Sequence, residues 1–312
     1  MKPTKLILHT TLFLVTFFTL TVAGVQWLNR DPFNLANFSL GIPYSVSVLF
    51  ILGCHEFGHY FAARHHGVDA TLPYFIPFPN LQSVVNFGTL GAVIRTKSPI
   101  PSRKVMFDIG AAGPIAGFVA SMIVLVYGFS TLPGKEFILS IHPDYFSQPH
   151  PPTGIDLAFG NSILYEAFSA LLTNPANQFV PPMTEVYHYP FLCAGWFGLF
   201  VTAMNMIPIG QLDGGHIAYT MFGSRHRFIS RASFVTLLLI GALGLLPLLN
   251  IHVEAGWLGW LLWGGILFFI VKLDHPPVLD ESPLDDTRRS LGWVTFAILA
   301  LSFIPTPFTV TI

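Results

Sequence analysis

Three residues carry the clearest chemistry in the chain. His55 and His59 lie four positions apart in "LGCHEFGHYFAARHHG", and Glu56 follows the first histidine. On a helix, that spacing sets two imidazoles on one face about one turn apart. The pattern H-E-x-x-H on a helix is a zinc signature with the glutamate as general base. Two neutral imidazoles bind Zn²⁺ at about 2.0–2.1 Å, and a catalytic zinc takes three protein ligands with one position left open. The third ligand must then come from elsewhere in the chain. The best candidate is Asp213 in "NMIPIGQLDGGH". Gly214 and Gly215 beside it allow close approach of another backbone. Pro208 breaks the preceding helix. Taken alone, Asp213 reads equally as a helix cap.

These residues sit in an unusual setting. The chain is 52% hydrophobic and 10% charged, against about 25% charged residues in soluble domains. Its mean hydropathy is +0.61. This is membrane-protein composition, and ionisable side chains within apolar helices are costly enough to point to function. The net charge of −1 gives no basic excess for nucleic acid. Cys54 and Cys193 form no CxxC pair and read as small buried apolar residues.

Seven apolar stretches could cross a bilayer, which takes about 20 residues each. They are Leu6–Leu28, Ile42–Ala63, Phe107–Phe129, Phe191–Ile207, Ala232–Leu249, Trp257–Val271 and Leu291–Ile304. The first is too long for a signal-peptide core and reads as a retained span. With the N-terminus inside, the inner segments hold 13 Lys and Arg and the outer segments 2, Arg30 and Lys135. The positive-inside rule supports that orientation. A bacterial cytoplasmic membrane fits this asymmetry, and so does a chloroplast membrane.

The expectation is an all-α polytopic membrane protein of about seven transmembrane helices with a small membrane-associated β element. Residues 1–41 would form the first helix and an external loop, 42–223 the catalytic membrane core, and 224–312 the C-terminal helices. "VVNFGTLGAVIRT" within Arg64–Met106 reads as one or two strands and a turn. Strand edges at membrane depth must be buried in protein or line a cavity. Ser130–Tyr189 is an external loop with a short helix near "LAFGNSILYEAFSALLT", and Asp274–Ser290 is a polar inner loop.

"HEFGH" followed by "NMIPIGQLDGG" resembles the site-2 protease family of intramembrane zinc metalloproteases, peptidase family M50. That family pairs H-E-x-x-H with N-x-x-P-x-x-x-L-D-G, matched here at Asn205, Pro208, Leu212, Asp213 and Gly214. "FDIGAAGPIAGF" is similar to the small-residue helix between its two motifs. The resemblance covers the second to fourth spans; the first span and everything after Gly223 match nothing specific, and no PDZ domain is evident in the external loop. It implies one Zn²⁺ per chain held by His55, His59 and Asp213, with Glu56 as base. Asn205 would contact the substrate carbonyl; its plain alternative is an interhelical hydrogen bond. The implied partners are transmembrane or membrane-anchored protein substrates. They would unwind and lie along "NFGTLGAVIR" as an added strand, with Asn86 and Gly88 as substrate-binding residues. Two other activities fit the same motif: a membrane zinc hydrolase acting on another amide or a lipid-linked substrate, and a catalytically silent membrane-protein binder. Oligomeric state is not legible.

His65 and His66 read as interfacial residues. His216 reads as a helix-start residue, with a supporting contact to the metal ligands as the alternative. The Trp257, Trp260 and Trp263 set reads as interfacial packing, and the glycines of "AAGPIAGF" as close helix contacts.

Overall fold

A computed structural model describes residues 3–79, 85–147, 156–249, 251 and 256–311. The chain is mainly helical. α1 (Pro3–Trp27), α2 (Ile42–His65) and α3 (Arg103–Ser130) are the long N-terminal helices. α4 (Lys135–Ile141) and α5 (Ile163–Leu172) lie in the connection to α6 (Pro190–Met206). α7 (Asp213–Phe222), α8 (His226–Leu243), α9 (Gly259–Ile266) and α10 (Asp286–Ser302) complete the helices, and α9 runs on as a π-helical turn, Leu267–Val271.

Among the described residues, four helical lengths are long and apolar enough to cross a membrane: Thr4–Trp27, Leu35–His65, Arg103–Ser130 and Asp213–Leu243. Pro190–Met206 and Gly259–Val271 are apolar but shorter. The fourth long segment begins well before the span expected from Ala232. Arg225, Arg227 and Arg231 interrupt its hydropathy, yet α7 and α8 are joined only by a short 3-10 turn.

α2, α3 and α6 pack on one another at the centre. Their contacts are built from small residues. Gly58 of α2 faces the Ala112 carbonyl of α3, and Gly195 and Gly198 of α6 face Leu125 and Ser121. Lipid-facing helices gain nothing from burying leucine against each other, so backbones approach where side chains are small. α1 lies on the outside of this trio and covers a two-stranded antiparallel sheet, β1 (Tyr74–Pro77) with β2 (Thr89–Val93). The register pairs Tyr74 with Val93 and Phe75 with Ala92, and slips before Pro77 meets Thr89. A second antiparallel pair joins β3 (Asp156–Phe159) to β4 (Phe308–Thr311). The segment expected to be one short helix is therefore a strand followed by α5, and β3 pairs with the end of the chain.

The segment 272–285 crosses back over the helices and docks on the start of α3. Arg103 N–H donates to the Asp280 carbonyl at 3.0 Å, and Asp280 N–H donates to the Pro101 carbonyl at 3.0 Å. Arg288 clamps Asp108 with two bonds of 2.8 and 2.6 Å, and His66 reaches the same carboxylate at 2.8 Å. Residues from α2, α3 and α10 thus meet at one carboxylate. Those bonds hold the Arg288 guanidinium well above its usual pKa.

Candidate metal centre

α2 carries His55, Glu56 and His59, all buried at 5, 6 and 7% exposure. The two histidines point their Nε2 atoms at one another, 3.2 Å apart. Asp213, the first residue of α7, completes the group: its Oδ2 lies 3.3 Å from each Nε2. The cap of that helix is Leu212, and it makes no side-chain cap bond. Asp213 therefore turns its carboxylate to the imidazoles, and the helix-cap alternative does not describe it.

Local backbone chemistry explains how α7 gets there. A Cβ at Gly214 would overlap the Met206 carbonyl, and one at Gly215 the carbonyls of Ile209 and Gly210. Gly210 adopts φ +53, a conformation that ordinary side chains resist. Only such glycines let the chain fold back at the end of α6 and start a new helix within reach of α2.

The small-residue helix has a second function beyond close packing. Gly113 of α3 lies against the His59 ring, Gly117 against His55, and Gly110 against His216. A Cβ at Gly117 would sit 3.0 Å from both Cβ and Nδ1 of His55. These glycines form the slots in which the imidazoles lie. α3 also fixes one ring's orientation: His59 Nδ1–H donates to the Ile109 carbonyl at 2.7 Å. That bond leaves the Nε2 lone pair facing Asp213, the usual arrangement of a metal-binding histidine.

The residues fit a zinc ion. Ligand bonds of about 2.0–2.1 Å at tetrahedral angles put donor atoms roughly 3.3–3.4 Å apart, and the three separations here are 3.2, 3.3 and 3.3 Å. Charge supports the same fit. Glu56 and Asp213 bring two carboxylates to a cavity whose described lining includes no Lys or Arg. Buried carboxylates without a cation are strongly unfavourable, and a dication balances two of them.

The cavity has a volume of about 590 Å³ and opens over these four side chains. Asn205 of α6 lines it. Asn86 and Gly88 are not brought to it. The buried Asn86 carboxamide oxygen accepts from Gly88 N–H at 2.7 Å, closing a turn in which Gly88 takes φ +82. The Gly88 carbonyl accepts from Thr19 Oγ1 of α1 at 2.7 Å. These two residues shape the start of β2 against α1; the cavity takes Ala92, Val93 and Ile94 from its far end.

One part of the wall was not expected from the sequence. The segment 272–285, expected as a plain polar loop, contributes His275 and Pro276–Leu279. His275 Nε2 lies 2.6 Å from His216 Nδ1, and the His275 ring stacks on Tyr219 at 4.1 Å. Burial, and then the neighbouring His216, push His275 down to about 3, so the ring is neutral. The Tyr219 hydroxyl accepts from Val278 N–H at 3.2 Å and donates to Glu281 at 3.1 Å. His216 is thus more than a helix-start residue: with Tyr219 it joins α7 to this strap. "HPP" at 275–277 was the available signal, a titratable residue before a stiff turn. His66, expected as interfacial, is tied to Asp108.

A helical bundle of membrane type, closed around a buried His–His–Asp set with a glutamate beside it, narrows the class to metal-binding membrane proteins. Comparison with known proteins takes the assignment one step further. The model of peptidase family M50 matches residues 43–248, and the chain belongs to that family. It is 27% identical over 308 residues to a protein of Arabidopsis thaliana named probable zinc metalloprotease EGY2, chloroplastic, covering 96% of this chain and 48% of that one. A rice protein (Oryza sativa subsp. japonica) named probable zinc metalloprotease EGY1, chloroplastic, is 32% identical over 268 residues, covering 85% of this chain and 40% of the relative. The chain thus spans about half the length, or less, of these relatives.

Proposed function

We propose that the chain is an intramembrane zinc metalloendopeptidase that hydrolyses peptide bonds of membrane-anchored proteins. The observation that carries this reading is the donor triangle of His55, His59 and Asp213, with Glu56 beside it, in a cavity walled by an extended strand. Membership of family M50 and the names of the plant relatives support it.

His55, His59 and Asp213 would hold the ion. Bound Zn²⁺ supplies Lewis acidity, lowering the pKa of a water to about 7 and polarising a carbonyl. Glu56 is the base. Its Oε1 lies 4.0 Å from His55 Nε2, outside the donor triangle but beside it. It takes the proton from the attacking water and returns it to the departing amide nitrogen. Asn205 offers its carboxamide N–H to the substrate carbonyl oxygen as that oxygen gains charge. β1 occupies one edge of β2, and the cavity lies at the other end of the same strand. A substrate segment that has left its helix finds backbone partners along 92–94, as in strand addition. Unwinding is required because a helical carbonyl is already hydrogen-bonded and shielded.

The catalytic unit is 42–223, with 1–41 in front and the helices of 224–312 behind; the strap 272–285 makes the last part contribute to the cavity wall. Seven spans place the N-terminus on the side carrying 13 of the 15 cationic side chains. That side is the cytoplasm of a bacterium or the equivalent compartment of a chloroplast.

The test is cleavage of a single-span substrate by the purified chain in proteoliposomes, with Glu56→Gln as the control. Cleavage by the parent and none by the variant supports the reading. Zinc binding with no cleavage of any spanning peptide, but hydrolysis of a lipid-linked amide, would replace the substrate class. Zinc-independent retention of membrane proteins would make the chain a binder.

A further inference from the structure

A second cluster of metal-type donors lies far from the cavity. His142 caps the C-terminal end of α4, its N–H donating to the Ile138 carbonyl. Glu185 is the N-cap, and His188 the last residue, of the 3-10 turn Val186–His188 that leads into α6. Positions i and i+3 nearly eclipse in a 3-10 helix, so Glu185 and His188 present their side chains together. None of the three lines the large cavity. Along α3, Gly117 lies against His55, whereas Gly128 lies against Phe191 and Leu192 just beyond His188, roughly 16 Å further along the helix at about 1.5 Å per residue.

The geometry points to a second divalent-metal site here, a Zn²⁺ held by His142 Nε2, His188 Nε2 and Glu185 Oε2. The three separations are 3.1 Å between the imidazoles, 3.6 Å from His142 to Glu185 and 3.5 Å from His188 to Glu185. Donor atoms of a tetrahedral zinc lie roughly 3.3–3.4 Å apart, and this triangle brackets that value. It nearly matches the triangle of His55, His59 and Asp213. The supporting bond is present as well. His188 Nδ1–H donates to the Trp27 carbonyl at the end of α1. That contact fixes the tautomer and leaves Nε2 as an acceptor toward the cluster. His188 and Glu185 are buried, at 3 and 7% exposure. The His142 side chain is 37% exposed, at the outer side of the group.

Two imidazoles and a carboxylate are a borderline donor set that suits Zn²⁺ better than Ca²⁺ or Mg²⁺, which take oxygen ligands. The ion clips three pieces together: the end of α1 through Trp27, the loop helix α4, and the turn that sets the entry of α6. Its role is structural, since what it joins are a helix end, a loop helix and a helix entry. This site extends the reading of the chain to two metal ions, and it stands whether or not the cavity is proteolytic.

The experiment is metal counting by mass spectrometry on the full chain, purified in detergent, equilibrated with Zn²⁺ and freed of loose ion. The parent is expected to hold about two zinc ions, and His55→Ala/His59→Ala about one, because only the cavity ligands are removed. Adding His142→Ala should bring that to near zero or weaken binding by at least about 100-fold. In the otherwise unaltered chain, His142→Ala should leave about one ion. X-ray absorption on His55→Ala/His59→Ala gives an independent readout: two imidazoles and further oxygen, with no sulfur. A folded His55→Ala/His59→Ala chain that binds no zinc would overturn the proposal. So would zinc content indifferent to His142→Ala, or an absorption spectrum with one imidazole or none.

Discussion

Gly113→Ala tests the assignment of α3 as the helix that makes room for the metal ligands. A Cβ at this position falls on the His59 ring, well inside the 3.0 Å that real Cβ atoms essentially never pass. His59 has no spare freedom, because Nδ1 is bound to Ile109 and Nε2 faces Asp213. Relieving the overlap moves the ring, or α3 relative to α2, by roughly 1 Å, whereas metal–ligand distances tolerate only about ±0.2 Å. The expected loss of zinc affinity is at least the roughly 10–100-fold typical of disturbing a ligand's supporting contacts. Gly53→Ala is the matched control. Gly53 lies in α2, the helix that carries His59; a Cβ there meets nothing within 4 Å, and the change gains about 1 kcal/mol of helix propensity. The assay is competition for zinc against a chelator of known affinity, alongside helix content by circular dichroism. Gly113→Ala with full helicity and unchanged zinc affinity would refute the argument that the glycine exists to seat His59. Equal losses in both variants would show that any added methyl harms the bundle.

Other outcomes follow from the same geometry. Glu56→Gln should keep its zinc and lower cleavage by about 10³-fold or more, since it removes the base and no ligand; metal content and product formation are measured on one preparation. Tyr219→Phe removes the hydroxyl that holds Val278 and Glu281; it should cost about 1 kcal/mol and speed proteolytic nicking within 272–285, with zinc retained. Asp285 accepts from Arg288 N–H at 3.0 Å as the cap of α10, and hydrogen bonds from Arg288 hold its carboxyl below the usual value. Its stabilisation is therefore complete above the unfolded pKa of about 4 and is lost as pH falls through the lower folded value. The difference in melting temperature between the parent and Asp285→Asn should be present at neutral pH and close in acid.

The legible parts of the site were those with short-range signatures. The spacing of His55, Glu56 and His59 needs only helical periodicity, and α2 supplies it. Asp213 became legible through the neighbouring glycines and proline, which mark a reversal of the chain. Asn205 reached the cavity because it lies in the last turn of α6, just before that reversal. Asn86 and Gly88 lie outside the cavity because "NFG" is a strong turn signal: the turn forms, and its polar groups are engaged by the turn itself and by Thr19 of α1. The strap was missed for a different reason. Residues 272–285 have no periodicity, and their position depends on bonds to Pro101, Arg103 and Tyr219, up to 180 residues or so earlier in sequence. The long helical segment from Asp213 was obscured by arginines that interrupt hydropathy without ending the helix.

The glycines of α3 show why this bundle holds ionisable groups at all. Each helical glycine costs about 1 kcal/mol relative to alanine, so a helix chosen for stability alone would not contain Gly110, Gly113 and Gly117. Their spacing of three and four places them along one stripe of α3, and that stripe meets His216, His59 and His55 in turn. Alanine would have met the packing needs of two apolar helices. It fails where the facing residue is a planar imidazole whose edge must stay free for a metal. The small-residue stripe is therefore part of the metal centre, although none of its residues could be a ligand. It also sets the depth of the centre, since the rings can lie only where the slots are.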